Sequence, residues 1–290
     1  METAKKALSI HGDKLYQERA RRALPVLVRQ AKAGEKIFYE NLAEELGMPN
    51  PRNLNFPLGS IGRTLQGLGK LWKEKIPPIQ CLVVNKGTGL PGEGISGFIS
   101  DKSEFRKLST RQKNALVGGV LAKVLGYGKW DSVLEALELE PALIPESVIQ
   151  EVKRSASSRR GGGGEGKEHK KLKQYIANNP QSIGLRLRGW ETKTEKDLPS
   201  GDFIDVSFEN KRHWIGVEVK SKTSDEGDIQ RGLYQCVKYQ AVMEAYSSVQ
   251  HRQKDVKVIL ALGCKLPKRL ISVRNTLGVK VVENIKVKSK

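Results

Sequence analysis

The sequence RSASSRRGGGGEGK at residues 154–167 constrains the fold of this chain more than any other stretch. Serine and four consecutive glycines bring no apolar side chain to a core, and glycine loses the most conformational freedom when a helix forms. We therefore predict a flexible linker over residues 154–166. It separates a domain of residues 1–153 from a second domain of residues 167–290, and each is long enough for a core of its own.

Net charge gives the first indication of function. The 290 residues include 51 Lys and Arg against 32 Asp and Glu, a formal net charge of +19, and bases are in surplus on both sides of the linker. Such a surplus favours a polyanionic partner, because lysine and arginine neutralise phosphates and release counterions. Simple solubility and attachment to a membrane surface are the alternatives. No basic amphipathic helix with an aromatic apolar face stands out, so we predict a nucleic acid, such as double-stranded DNA, as the partner.

Three features predict a cytoplasmic protein. No apolar run approaches the roughly 20 residues that span a bilayer, so we expect no membrane-spanning segment. The N-terminal sequence METAKKALSIHGDK lacks the apolar core of a signal peptide. Cys81, Cys236 and Cys264 are far apart and odd in number, which fits neither a disulfide framework nor a CxxC metal site.

The apolar spacing before the linker predicts a mainly helical domain. An apolar stripe predicts a helix over about residues 13–33, and YENLAEELGMP predicts a short helix that ends at Gly47 and Pro49. A second helix, predicted from about Leu58, completes a helix-turn-helix rhythm. Further helices are predicted over about residues 110–125 and 130–138.

The helix that begins near Leu58 carries the predicted DNA-contacting face of this domain. Three of its apolar residues are expected to point inward: Ile61, Leu65 and Leu68. Three of its polar residues are expected to point outward: Arg63, Thr64 and Gln66. The following IPPIQCLVVNKGTGLPGEGISGF predicts a strand, a glycine-rich turn and a second short strand. The whole stretch resembles a winged-helix DNA-binding module.

The same stretch also resembles, at a distance, the DNA-binding half of the alkylguanine alkyltransferase family. That family has a reactive cysteine within Pro-Cys-His-Arg. Here Cys81 follows Gln80 and precedes Leu82, so the histidine that would activate the thiol is missing. We therefore interpret Cys81 as a core residue and not as a methyl acceptor.

The pattern after the linker predicts an α/β domain in the order αβββαβ, followed by a short helix and a strand. EHKKLKQYIANN predicts a helix that ends before Pro180, and VKVILALG and LGVKVVE predict the last two strands. The first three strands are predicted in LRLRGW, DFIDVSFEN and HWIGVEVK, and a long helix in DIQRGLYQCVKYQAVMEAYSSV. In the second strand, Ile204, Val206 and Phe208 are expected to share one face.

Charged residues interrupt the second and third of these strands. If the two strands pair as a hairpin, Asp205 and Glu218 can lie on one face near one sheet edge. Adjacent strands are about 4.8 Å apart, so two carboxylates placed there would repel each other unless a cation separated them. Mg²⁺ takes carboxylate oxygens and can also bind a substrate phosphate. Lys220, on the same strand as Glu218, can steady the attacking water or the charge of the transition state.

This arrangement resembles the PD-(D/E)xK, or restriction endonuclease-like, nuclease superfamily over residues 165–285. The resemblance implies that Asp205, Glu218 and Glu168 bind Mg²⁺ (or Mn²⁺) and that Lys220 is catalytic. The family's Pro-Asp dipeptide is missing, Asp202 is a rival for Asp205, and Glu165 is a rival for Glu168. We favour Asp205, because it lies deeper in the strand, and Glu168, because Glu165 lies in the linker.

Gln235 and Tyr239 form a Gln-x-x-x-Tyr pattern that resembles the RecB-type branch of the superfamily. The spacing places both on one face of the long helix. The resemblance implies that they lie near the substrate phosphate and the metal. His169 and His213 are interpreted as structural or surface residues. Three basic residues are expected to line the phosphate path: Lys222, Arg231 and Lys238.

These features together predict a metal-dependent deoxyribonuclease, which we expect to be an endonuclease, with an N-terminal DNA-recognition domain. No GxxxxGK[ST] ATPase motif is present, and restriction-like defence and DNA repair both remain open. One alternative is a DNA-binding regulator with an inactive nuclease fold, and another is a nuclease that processes RNA or DNA ends. Because cleavage of both strands of a duplex usually needs two active sites, a homodimer is a further open alternative.

Overall fold

The structure of the protein is a computed structural model that describes residues 7–100, 102–144, 166–187, 189–250 and 254–287. The chain is mixed α/β and divides into two compact units, Met1–Leu143 and Ile144–Lys290. Residues 154–165 of the predicted linker lie outside the described residues. Within those residues, no helix is both long enough and apolar enough to cross a membrane.

The first unit is mainly helical. Its helices are α1 (Leu15–Ala33), α2 (Tyr39–Glu45), α3 (Asn55–Leu71), α4 (Ser96–Ile99), α5 (Lys102–Lys107), α6 (Thr110–Leu125) and α7 (Trp130–Ala136). Two short strands, β1 (Ile37–Phe38) and β2 (Val83–Val84), pair in parallel. Helix α1 ends at Gly34, whose φ of +78° is a left-handed conformation that glycine adopts without strain.

Helix α3 confirms most of the predicted inward and outward orientations of its residues. The three residues expected to point inward are buried in the core: Ile61, Leu65 and Leu68. Arg63 and Gln66 are exposed, as expected. The prediction for Thr64 is wrong, because its side chain is buried. Its hydroxyl accepts a hydrogen bond of 2.9 Å from the Ile10 backbone N–H and donates one of 2.9 Å to the Ser60 carbonyl.

The predicted wing does not form, because its second strand is helical. After β2, the Asn85 N–H donates to the Leu90 carbonyl and closes a turn. The chain then continues into a 3₁₀-helix, Glu93–Ile95, and into α4. Glycine-rich sequence favours turns over strands, and β2 pairs with β1 instead of with a returning strand. Cys81 is fully buried, and burial raises the pKa of its thiol to about 12, as expected for a core cysteine.

The second unit has the predicted order of elements. Its helices are α8 (Lys167–Asn178), α9 (Glu226–Val249) and α10 (Ile271–Thr276). Its strands are β3 (Glu191–Asp197), β4 (Phe203–Glu209), β5 (His213–Lys220), β6 (Asp255–Leu262) and β7 (Lys280–Val282). They form one sheet in the order β3-β4-β5-β6-β7, antiparallel from β3 to β5 and parallel from β5 to β7.

The prediction of the first strand of this sheet is wrong in position. LRLRGW was expected to form it, but residues 185–187, 189 and 190 are outside any strand, and β3 follows them. Leu185, Leu187 and Trp190 pack against the core from this irregular segment, so their alternation reflects packing and not strand pairing. Strand β3 itself, ETKTEKD, has no apolar residue and is exposed along almost its whole length, as an edge strand can be.

Two apolar clusters cover the two faces of the sheet. One joins Leu172 and Ile176 of α8 to Val206, Phe208 and other residues of β4 and β5. The other joins α9 to the opposite face and includes Ile204, whose side chain lies against Gly216. The regular alternation of β4 is therefore broken between Ile204 and Val206, and the expectation that both share one face is wrong. Asp205 lies at the break.

Candidate active site

The ladder between β4 and β5 opens at Asp205. The pairing of the two strands ends with Val206 opposite Val217. Beyond that pair, the Asp205 Oδ2 atom accepts a hydrogen bond of 2.7 Å from the Val219 backbone N–H. A side-chain oxygen thus satisfies a donor that a neighbouring strand would satisfy in a regular sheet. The Asp205 carboxylate is held where the two strands separate.

The second oxygen of Asp205 faces helix α8. The His169 Nε2 atom lies 3.2 Å from the Asp205 Oδ1 atom, and both side chains are largely buried. Sequence reasoning treated His169 as a structural or surface residue, because a lone histidine on a basic helix gives no pattern. Only the packing of α8 against β4 shows the contact.

Glu218 lies one residue from Val219 and is almost completely buried. Its Oε1 atom accepts a hydrogen bond of 2.6 Å from the Lys220 Nζ atom. Burial raises the pKa of Glu218, the Lys220 charge lowers it, and the Asp205 charge raises it again, with a result of about 7. The two carboxylates are therefore close enough to interact, and Lys220 and His169 together do not offset the effects of burial and of Asp205 on the pKa of Glu218.

Helix α9 fixes Lys220 from the other side. The Lys220 Nζ atom donates a hydrogen bond of 3.1 Å to the Gln235 Oε1 atom, and the Gln235 Nε2 atom donates one of 3.1 Å to the Tyr239 hydroxyl. Gly232 permits this approach, because a Cβ atom there would lie 3.0 Å from the Lys220 Cε atom. Burial raises the pKa of Tyr239, so its hydroxyl stays protonated. The amide of Gln235 therefore orients Lys220, and its expected position near the substrate phosphate and the metal stays a prediction.

Glu168 has partners other than the two carboxylates. Its side chain is half-exposed and pairs with Lys222 at 3.3 Å and with Lys171 at 3.5 Å. The hydrogen bond and charge of Lys222 hold the pKa of Glu168 below its usual value. The structure brings five of the predicted residues together: Asp205, Glu218, Lys220, Gln235 and Tyr239. Glu168, at the start of α8, forms ion pairs with the surface residues Lys171 and Lys222.

The other two predicted phosphate-path residues of this unit also form ion pairs. Arg231 pairs with Asp228 at 2.7 Å, and Lys238 pairs with Asp202 at 2.7 Å. Burial raises the pKa of Asp202, but hydrogen bonds from Lys238 and Ser200 outweigh burial and lower it. Asp202 is thus neutralised at the surface, and Asp205 is the acid that reaches β5 and α8. Arg63 belongs to the first unit, where it is exposed on α3.

A cleft of about 610 Å³ adjoins Asp205. Its lining includes His169 and Lys173 of α8, Glu195 of β3, and three hydroxyl residues that follow β5: Ser221, Thr223 and Ser224. The sequence did not single out Lys173 or Glu195. The spacing of His169 and Lys173, one helical turn apart, was the only available indication that both could face one site.

Asp205 and Glu218 form a donor set that fits Mg²⁺ or Mn²⁺. In the part of the chain that the structure describes, no group of three or more His, Cys, Asp or Glu side chains forms a complete metal site. Mg²⁺ does not require one, because it binds through one or two carboxylates and keeps several waters. A carboxyl group with a pKa of about 7, as in Glu218, holds a proton that a divalent cation can replace at small cost.

Comparisons of this chain with protein-family models, with curated proteins and with solved structures found no match.

Proposed function

We propose that this protein is a metal-dependent deoxyribonuclease. The second unit would be a restriction endonuclease-like core of the RecB type, and the first a helical DNA-binding unit without a two-stranded wing. One observation carries the proposal: the charges of Asp205 and Glu218 interact where β4 and β5 separate, with the Lys220 ammonium bonded to Glu218 and the His169 ring beside Asp205. Burying charge that is incompletely compensated is unfavourable, so a functional role explains the arrangement better than stability does.

Each residue of the cluster has a role in this proposal. Asp205 and Glu218 would hold Mg²⁺ or Mn²⁺, which when bound polarises the scissile phosphate and makes a water nucleophilic at neutral pH. Lys220 carries a positive charge that stabilises the extra negative charge on the attacked phosphate. Gln235 holds the Lys220 ammonium in place, and Tyr239 holds the Gln235 amide.

Charge supports DNA as the substrate. The chain has 51 basic against 32 acidic residues, and this surplus attracts a polyanion. Arg63 and Gln66 are exposed on α3, where they can contact a duplex. Three basic residues of the second unit have exposed or half-exposed side chains: Lys222, Arg231 and Lys238. Phosphates can replace their present acidic partners.

The test is to incubate the purified full chain with supercoiled plasmid and with linear duplex DNA, in Mg²⁺ or in EDTA. We expect nicking and linearisation of the plasmid in Mg²⁺ and no reaction in EDTA. Shortening of linear DNA without nicking of closed circles would instead indicate an exonuclease. Preferential cleavage of RNA would reassign the substrate.

Glu218→Gln is the control variant, because it keeps the shape of the side chain and an acceptor for Lys220. We expect it to bind DNA and to leave the plasmid intact. If the wild-type protein binds DNA but cuts no nucleic acid with Mg²⁺ or Mn²⁺, the alternative of a DNA-binding regulator with an inactive nuclease fold replaces the proposal. Equal cutting by Glu218→Gln and wild type would assign any activity to another site or to a contaminant.

A further inference from the structure

An ion pair between Lys173 and Glu195 lies inside the cleft beside Asp205. The Lys173 Nζ atom is 2.7 Å from the Glu195 Oε1 atom. The Lys173 side chain is only 8% exposed, whereas the Glu195 side chain is 61% exposed. A buried ammonium needs an anionic partner, but an exposed carboxylate is equally well solvated by water. Lys173 therefore depends on this pair more than Glu195 does.

Glu195 is held in a conformation that strands do not normally contain. Its φ is +50°, although it is in the middle of β3. The pairs on either side of it are Thr194 with Val206 and Lys196 with Ile204, so Glu195 stands opposite Asp205. A left-handed conformation is unfavourable for a non-glycine residue, and such strain is concentrated at functional sites.

Glu195 also brings a negative charge close to Asp205. The Lys173 hydrogen bond and charge lower the pKa of Glu195, and the Asp205 charge opposes this effect. Three acids line the cleft, Glu195, Asp205 and Asp228, and they repel an approaching phosphate. The cleft nevertheless offers groups that suit one: the Lys173 ammonium, the imidazole of His169 and the hydroxyls that follow β5.

We propose that Lys173 is a binding site for a backbone phosphate of the DNA substrate, and that Glu195 occupies this site in the absence of DNA. When DNA enters the cleft, a phosphate oxygen takes the place of the Glu195 carboxylate at the Lys173 Nζ atom. Glu195 then turns into solvent. The inference rests on the proposed function for the identity of the ligand, but its test measures binding and not cleavage.

The exchange follows from the charges involved. Lys173 keeps an anionic partner throughout, so no buried charge is left unpaired. Removing the Glu195 carboxylate from the cleft also reduces the repulsion between the acidic cluster and the DNA backbone. Glu195 therefore weakens DNA binding, because its ion pair with Lys173 must break before a phosphate can bind. The free energy of this partly exposed ion pair sets the size of the effect.

The experiment measures the affinity of the full chain for a short duplex DNA in EDTA over a series of salt concentrations. Lys173→Met should weaken binding and make the slope of log K against log salt shallower by about 0.9, the value for one phosphate contact. Glu195→Gln should strengthen binding about 2- to 5-fold. In the Lys173→Met background, Glu195→Gln should strengthen binding clearly less than in wild type, because the competition for Lys173 is gone and only the repulsion from the carboxylate is relieved.

Matched control variants come from β3, the strand that contains Glu195. Glu191 and Lys193 of β3 also form an ion pair at 2.7 Å, with both side chains exposed. Glu191→Gln and Lys193→Met change the net charge by the same amounts as the test variants, and they should leave the affinity and the salt slope near wild type. Lys173→Arg should retain the wild-type slope.

Three results would overturn the inference: an unchanged slope in Lys173→Met, equal strengthening by Glu191→Gln and Glu195→Gln, or equal strengthening by Glu195→Gln in the wild-type and Lys173→Met backgrounds. Should Lys173→Met fail to fold, as judged by thermal unfolding, the comparison of Glu195→Gln with Glu191→Gln decides. If the protein binds DNA as described here but never cleaves it, the nuclease proposal fails and the phosphate site stands.

Discussion

The hairpin of β4 and β5 has a buried or half-buried glutamate at each end. The two glutamates differ in how far neighbouring lysines compensate their negative charge. At the end away from the cleft, Glu209 forms ion pairs with both Lys196 and Lys254. Burial raises the pKa of Glu209, but the hydrogen bonds and charges of the two lysines outweigh burial and hold that pKa below its usual value. At the other end, Glu218 has a pKa of about 7.

The two ends differ both in burial, which is more complete at Glu218, and in the ratio of bases to acids. Two lysines surround Glu209, and the Lys196 Nζ atom is also 4.3 Å from the centre of the Trp214 ring. At the other end, Lys220 is bonded to Glu218, and the Asp205 charge adds to the negative potential there. The Glu209 end is therefore neutralised and serves stability, whereas the Glu218 end retains negative charge that a divalent cation can neutralise.

The largest expected effect separates the two ends by activity. Asp205→Asn should reduce Mg²⁺-dependent DNA cleavage by about 1,000-fold or more, because loss of a metal ligand removes several kcal/mol of transition-state stabilisation. Glu209→Gln should leave the cleavage rate within about 3-fold of wild type. Initial rates of plasmid cleavage at saturating Mg²⁺ measure both. Equal losses in the two variants would remove the distinction between a catalytic and a structural end.

A smaller effect is expected from the residue that orients Lys220. Gln235→Ala removes one of the two acceptors described above for the Lys220 ammonium, so the cleavage rate should fall about 10- to 150-fold, the value of a hydrogen bond of 1.5–3 kcal/mol to a charged group. The requirement for Mg²⁺ should remain. Gln240→Ala is the control, since Gln240 lies on the same helix and bonds only to the exposed side chain of Glu244. Wild-type rates in Gln235→Ala would withdraw the RecB-type assignment.

The smallest effect concerns stability in EDTA, where the two ends should respond to pH with opposite signs. Both glutamates have a reference pKa of 4.5. The stabilisation from Glu209, whose folded pKa is depressed, is present above that value and is lost as the pH falls through the folded pKa. Glu218, whose folded pKa is raised, destabilises the fold progressively as the pH rises from 4.5 to about 7.

Urea unfolding across this pH range tests the contrast. Glu209→Gln should cost about 1–3 kcal/mol at neutral pH, and less under acidic conditions. Glu218→Gln should gain stability relative to wild type by up to about 1 kcal/mol per pH unit as the pH rises. Parallel pH profiles for the two variants would show that the two glutamates have the same environment.

The elements that carry the charged strands could be predicted because their apolar residues are informative. Val206, Phe208, Val217 and Val219 alternate with polar or small residues, and this period specifies strands whichever partners they later find. Strand β3 could not be predicted from ETKTEKD, because an exposed edge strand buries nothing and owes its conformation to pairing with β4. The apolar residues just before it gave a false strand, because they alternate but pack against the core from an irregular segment.

The residues of the candidate site also differ in whether the sequence could identify them. Asp205, Glu218 and Lys220 were identifiable because charges interrupt apolar strands, and Gln235 and Tyr239 because their Gln-x-x-x-Tyr pattern resembles that of the RecB-type branch. His169, Lys173 and Glu195 were not, since each is one charged or polar residue among many in α8 and β3. Their role depends on the packing of α8 across the break in β4, which involves residues about 30 positions apart in the sequence.

Titration of the metal-free protein with Mn²⁺ or Mg²⁺ by calorimetry, at pH about 8, tests most directly whether the Glu218 end binds a cation. Wild type and Glu209→Gln should bind the ion with similar affinity, because the Glu209 end is already neutralised by its two lysines. Asp205→Asn and Glu218→Gln should lose that binding. Unchanged binding in both of these variants, or its loss in Glu209→Gln alone, would contradict the account.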